Sequence, residues 1–241
     1  ACYPPLAPGS VLEPLYPDRL AEDFVALTLP GHDVPAYAPA SWAAPTASAL
    51  TRRDRDGAPP VHISRAITLL ASAAAPDRWP HVAVHLGEIL REDPRLALDA
   101  GSGALSALAD VTSLPVEVLE SIHSVLPEER HADLDPGIAA LVERLYRHRL
   151  ALDPAPAERA RLHHTLARRH AYAGRYRSAE ESVRGAVRIR TLLAAGDPEA
   201  YEPDLADSLG NLAVVLSELG RRREALDVAR EAVTIRRRLA A

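Results

Sequence analysis

The side chains with the most chemistry to offer are the 10 histidines. His81 and His85 are spaced i, i+4, and Glu88 follows three positions later. On a helix the three share one face, which is the spacing of a metal pair and would suit a metal-dependent hydrolase. The Glu that stands between the two histidines of HExxH is missing, and no third ligand is evident. The competing reading is a pair of amphipathic histidines at a helix interface. His163, His164 and His170 form a second cluster, but Arg161, Arg168 and Arg169 stand among them and repel a cation. A nucleophile needs Ser or Cys beside a positioned base. The single Cys2 lies near one end, and there is no GxSxG. The chain contains no Lys, so a GxxxxGK[ST] phosphate loop is excluded, and Gly101-Ser102-Gly103 reads only as a turn. No catalytic constellation rises above background. The expectation is a non-enzyme with no cofactor and no resident metal.

The elements that position these residues are clearest at the far end of the chain. Leu205, Leu209, Leu212, Leu216 and Leu219 alternate gaps of four and three, one face of an α-helix. Gly220 ends that helix, because glycine takes the left-handed turn without steric cost. Ala225, Val228, Ala232, Ile235 and Leu239 form a second stripe. Small residues at Ala213, Ala225 and Ala232 let two helix axes come close. An earlier copy is present: Leu166, Ala167, Gly174, Ala179, Ala186, Val187 and Ile189 match Leu212, Ala213, Gly220, Ala225, Ala232, Val233 and Ile235, each 46 residues apart. The small-residue and turn pattern resembles the tetratricopeptide repeat, a helix-turn-helix unit of about 34 residues. The excess length falls in TLLAAGDPEAYEPD, read as a lengthened second helix plus a linker around Gly196 and Pro198. A degenerate half-unit covers 137–154, its would-be first helix broken by Pro127 and Pro136.

Upstream, the chain reads as short helices punctuated by Pro and Gly: 19–27 with Asp18 as cap, 46–53, 64–74, 80–91, 94–100, 103–111, 115–125 and 137–152. Residues 1–16 read as proline-broken and extended. Residues 29–45, with Tyr37 and Trp42, read as a long connection that wraps a surface or meets another domain. No useful run alternates with the period of a strand. The expected fold is all-α: a right-handed α-solenoid of helix-turn-helix pairs with an irregular helical first half. Three regions are expected: a proline-rich segment 1–60, a helical connector 61–135, and repeats over 136–241 with full units at 158–194 and 204–239.

Composition agrees. Hydrophobic residues make up 47% but aromatics only 4%, so Ala and Leu must fill a core of closely packed helices. Net charge is −5, unevenly placed: residues 1–140 hold 9 Arg against 19 acids, and 141–241 hold 19 Arg against 14. The basic half admits an acidic partner or merely solvated arginine faces. A dense basic stripe interleaved with aromatics is missing, so nucleic acid is not expected. Nor is a membrane partner, since no apolar run reaches about 18 residues. The lone cysteine points to a reducing, cytoplasmic setting.

The stretch GDPEAYEPDLADSLGNLAVVLSELGRRREAL resembles the tetratricopeptide arrays of high-GC bacterial STAND proteins, the NLR-like signal-transduction ATPases. VLEPLYPDRLAEDFVALTLPGH is similar to the region after their ATPase module. HISRAITLLASAAAPDRWPHVAVHLGEIL and HADLDPGIAALVERLYRHRLALDP are similar to their helical connector. The resemblance implies a sensing arm that regulates an ATPase carried elsewhere on a longer polypeptide. A transcriptional regulator carrying such repeats is a further alternative. The resemblance also implies a concave groove lined by the first helix of each pair, holding a protein or peptide ligand. Matched onto this chain, that groove is Arg161, His164, Arg168, Tyr172, Asp207, Asn211, Val214 and Ser217. Arg161, His164 and Arg168 fall at i, i+3 and i+7, so their heads are expected to converge and take a carboxylate.

Overall fold

The computed structural model describes residues 18–39 and 43–240, without the side chain of Asp18. The expected extended stretch 1–16 with Cys2, the cap by Asp18, and Trp42 lie outside the described residues. All regular structure among the described residues is helical, and the chain divides into two compact units, Ala1–Val125 and Leu126–Ala241.

The first unit holds α1 (Asp18–Thr28), α2 (Thr46–Thr51), α3 (Ile63–Ala73), α4 (Pro80–Glu92), α5 (Leu96–Asp99), α6 (Ser102–Asp110) and α7 (Val116–Ser124). These bounds lie within a few residues of the expected ones, because Pro and Gly punctuate the sequence so densely. Helix α3 is the hub and packs against α1, α2, α4, α5 and α6. Its Ile67, Leu70 and Ala71 are buried, as are Val82, Leu86 and Leu90 of α4. Helices this short hold little stability alone, and polar side chains tie them together. Arg53 donates to Asp93 and to Asp99, each at 2.5 Å, joining the loop after α2 to the C-cap of α4 and the last residue of α5. Arg78 pairs with Glu22 and Asp23 of α1, and Trp79 Nε1 donates to Asp23 at 2.8 Å. The Trp79 hydrogen bond and the nearby Arg78 hold the Asp23 carboxyl below its ordinary range.

The second unit holds α8 (Asp135–Ala151), α9 (Pro156–Tyr172), α10 (Tyr176–Gly196), α11 (Pro198–Glu218) and α12 (Arg222–Leu239). Successive helices pack on one another, and α9 also meets α11, so the pairs α9–α10 and α11–α12 stack first helix beside first helix. One buried cluster joins all four: Ala167 of α9, Val183 of α10, Leu212 and Leu216 of α11, and Ala225 of α12. A second joins Ala194 to Leu205, Ala206 and Leu209, and to Ala232 and Ile235.

The two pairs turn in the same way. Gly174 and Gly220 have φ of 71° and 77°, where a Cβ would be strained. Gly174 N–H donates to Ala171 O at 3.0 Å and Arg175 N–H to His170 O at 2.8 Å. Gly220 N–H donates to Ser217 O and Arg221 N–H to Leu216 O, both at 2.9 Å. This pair of hydrogen bonds satisfies two of the terminal carbonyls of each first helix. The repeat offset of 46 is therefore kept down to individual backbone hydrogen bonds. The expected linker around Gly196 and Pro198 shrinks to a single residue. Asp197 alone separates α10 from α11, its carboxylate accepting from Ala200 N–H at 3.2 Å. The extra length over an ordinary repeat is helix on both sides of it. Pro198 is tolerated as the first helical residue, where its missing N–H has no partner to lose.

Candidate functional site

The face expected to form the groove belongs to α9 and α11. His164 links them: its Nδ1 lies 3.1 Å from Ser208 Oγ and its Nε2 meets the Asn211 side-chain amide at 3.3 Å. Arg190 of α10 completes the contact from beneath. Its Nη1 donates to Asp204 O at 2.9 Å, to Ser208 Oγ at 2.6 Å and to His164 Nδ1 at 3.1 Å, and its Nη2 lies 3.2 Å from the Asp204 carboxylate. An imidazole that accepts at Nδ1 is neutral. Burial and the neighbouring Arg190 push the His164 pKa down, which keeps it so. Burial also lowers the pKa values of His163 and His170.

The eight expected groove residues divide into distinct sets. Arg161 does not converge with its neighbours. It closes on Glu158 of its own helix in a forked pair at 2.7 and 2.6 Å, because i, i+3 spacing places an acid nearer than any groove partner. His164 is drawn into the polar contact between the two pairs. Arg168 is exposed and makes no hydrogen bond or ion pair among the described residues. Tyr172 is half-buried, Val214 and Ser217 are exposed, and Asn211 joins His164. Asp207 is held from α12 by Arg236 at 2.8 Å. Among the described residues the face thus offers one unpaired cation, Arg168, beside amide, hydroxyl and apolar groups.

The repeat positions fall as their spacing dictates. Leu166, Ala167, Ala179, Ala186, Leu212, Ala225 and Ala232 are buried, whereas Ala213 is only half-buried. Sequence reasoning missed Arg190 and Ser208. The signal was present: Arg190 falls on the stripe Ala179, Val183, Ala186, Ala194, and Ser208 on the stripe Leu205, Leu209, Leu212. A polar residue on an apolar stripe must find a buried partner, and these two find each other. Arg169 is also buried, its Nε and Nη1 without a hydrogen-bond partner among the described residues. His163 packs against Gly185, where a Cβ would come within 3.2 Å of the ring.

The histidines of α4 serve as latches. His81 Nε2 donates to Ala26 O and His85 Nε2 to Pro30 O, both at 2.9 Å. These carbonyls lie at and just beyond the end of α1, where helical partners run out. The donating nitrogens carry protons and so are not free to ligate. His81 also packs edge-on against Trp79 and His32. Glu88 lies 4.0 Å from His85 Nδ1. Among the described residues no group of three or more His, Cys, Asp or Glu is arranged to hold a metal.

Residues 205–240 match the family model of the tetratricopeptide repeat. No curated protein and no solved structure matches the chain. The matched segment covers α11 from Leu205 and all of α12. With the backbone of α9–α10 repeating its turn, the second unit is built from stacked helix pairs of tetratricopeptide kind, a fold of protein-interaction scaffolds. No helix among the described residues is long and apolar enough to cross a membrane.

Proposed function

We propose that this chain is a non-catalytic recognition module whose α9–α11 face takes an acidic segment of a protein or peptide partner. The observation that carries this reading is the His164–Asn211 contact. It sets two first helices side by side, and the exposed Arg168 lies one helical turn along α9 from it. A guanidinium without a partner presents donors in a fork matched to a carboxylate. The neighbouring Val214 and Ser217 supply apolar and hydroxyl surface, and no step of covalent chemistry is needed. Arg161 contributes by opening its pair with Glu158 when a stronger acceptor arrives. The wider role is regulation of a STAND-type ATPase signalling or defence protein in the cytoplasm, with the module contacting other domains of the same polypeptide. That part rests on the phrasing of the sequence alone.

The test is recovery of a partner from source-cell lysate on immobilised protein. Arg168→Glu should abolish recovery of a defined partner, and Arg161→Glu should weaken it, while the exposed control Arg188→Glu leaves it unchanged. Equal recovery by all three variants would remove this face from the account.

A further inference from the structure

The 46-residue equivalence between the two helix pairs exposes a second surface. On α10, the side chains at Glu180, Val183, Val187, Arg190 and Ala194 lie on the face toward the following pair. Val183 is 0% exposed and Arg190 5%. Both Val183 and Val187 pack with Leu212 and Leu216 of α11, and Glu180 accepts from Arg221 across the gap at 2.5 Å. Moved along by one repeat, these positions become Leu226, Ala229, Val233, Arg236 and Ala240 of α12 and its cap. They form the same i, i+3, i+7, i+10, i+14 stripe, but Leu226 is 52% and Val233 45% exposed. The forward side of α11 is equally open, since Ala167 is buried where its counterpart Ala213 is not. Arg236, unlike Arg190, meets no later helix among the described residues and folds back onto Asp207 of its own pair.

The geometry points to this α12 stripe as a docking surface for an acidic amphipathic α-helix carried by a partner protein. The chemistry of that helix is written in α11, which is what the same stripe accepts one repeat earlier. Its buried face reads Leu205, Leu209, Leu212, Leu216, with Ser208 and Asp204 meeting the arginine. Residues 198–218 carry five acids, Glu199, Glu202, Asp204, Asp207 and Glu218, and no basic residue. Helix α12 answers with six arginines, Arg222, Arg223, Arg230, Arg236, Arg237 and Arg238, against three acids. Like charge opposes a second copy of α12 on this stripe, whereas an α11-like helix meets complementary charge and a register already used within the fold. On docking, Arg236 leaves Asp207 and turns forward to a Ser or acid of the incoming helix, as Arg190 does.

The probe is a fluorescent peptide of residues 198–219, read by anisotropy against the 241-residue protein. Saturable binding that weakens with salt is expected. Val233→Asp should weaken it at least about tenfold, with circular dichroism unchanged because Val233 is exposed and outside both buried clusters. Arg168→Glu should leave it unaltered, separating this surface from the α9–α11 face. Three results would overturn the proposal: no binding, binding indifferent to Val233→Asp, which would mean exchange with the resident α11, or self-association of the protein that Val233→Asp abolishes, which would assign the stripe to a second copy.

Discussion

The pairs α9–α10 and α11–α12 share a turn, a capping hydrogen-bond pattern and the spacing of their apolar stripes, yet equivalent side chains live in different environments. Arg190 is buried and meets Asp204, Ser208 and His164, whereas Arg236 has its side chain 60% exposed and holds one surface carboxylate. Val183 is sealed among leucines and Ala229 is only half-covered. Place in the stack therefore decides burial as much as residue type does. A stacked repeat behaves as a sum of unit stabilities and neighbour interfaces, and here the neighbour term can be seen residue by residue.

The comparison is broken most directly by charging the two equivalent stripes. Val183→Asp puts a carboxylate among Leu212, Leu216 and Ala167, and should cost more than about 4 kcal/mol, enough to unfold the second unit. Ala229→Asp at the matching site should cost about 1 kcal/mol or less. Hydrogen exchange of α9–α12 separates these outcomes, and similar losses for both variants would refute the claim that only α10 is covered on its forward side. Next in size is the arginine pair. Arg190→Ala leaves Ser208 and His164 without their buried donor and should lower stability by roughly 2–4 kcal/mol. Arg236→Ala removes an exposed pair and should cost about 0.5 kcal/mol. Thermal melts of the two variants rank them, and the order would reverse if burying the Arg190 guanidinium, whose Nε lacks a partner among the described residues, cost more than its contacts return.

The smallest effect sharpens the comparison by pH. His163, His164 and His170 all lie in α9, and α11–α12 contain no histidine. Burial lowers the folded-state pKa of each below the ordinary value of 6.5. The unfolded chain therefore binds protons that the folded chain refuses, so stability is full above about pH 6.5 and falls as pH drops toward the lowered values. Hydrogen exchange corrected for intrinsic rate should show α9–α10 losing protection between pH 7.5 and 5.5 more than α12 does. Replacing the three histidines with Gln should flatten that difference.

Much of this was legible because helices announce themselves. The alternating leucine gaps and the two turn glycines placed the last four helices, and Pro and Gly marked the short helices of the first unit. What stayed hidden was partner choice. Arg161, His164 and Arg168 look alike by spacing, but one finds an acid a turn away, one is taken by α10 and α11, and one is left over. That outcome depends on side chains more than twenty positions distant, such as Arg190 and Ser208, which periodicity on a single helix does not join. The spacing of His81 and His85 fitted both a metal pair and an interface pair, and their actual acceptors, the carbonyls of Ala26 and Pro30, could not be named because they come from another element.

The single residue between α10 and α11 has a mechanical consequence. With Asp197 as the whole connection, there is no slack to let one helix pair swivel while the other stays still. A force or a bound load applied to α11 passes through a single residue into α10, so the array is expected to bend as a continuous spring instead of hinging like beads on a string.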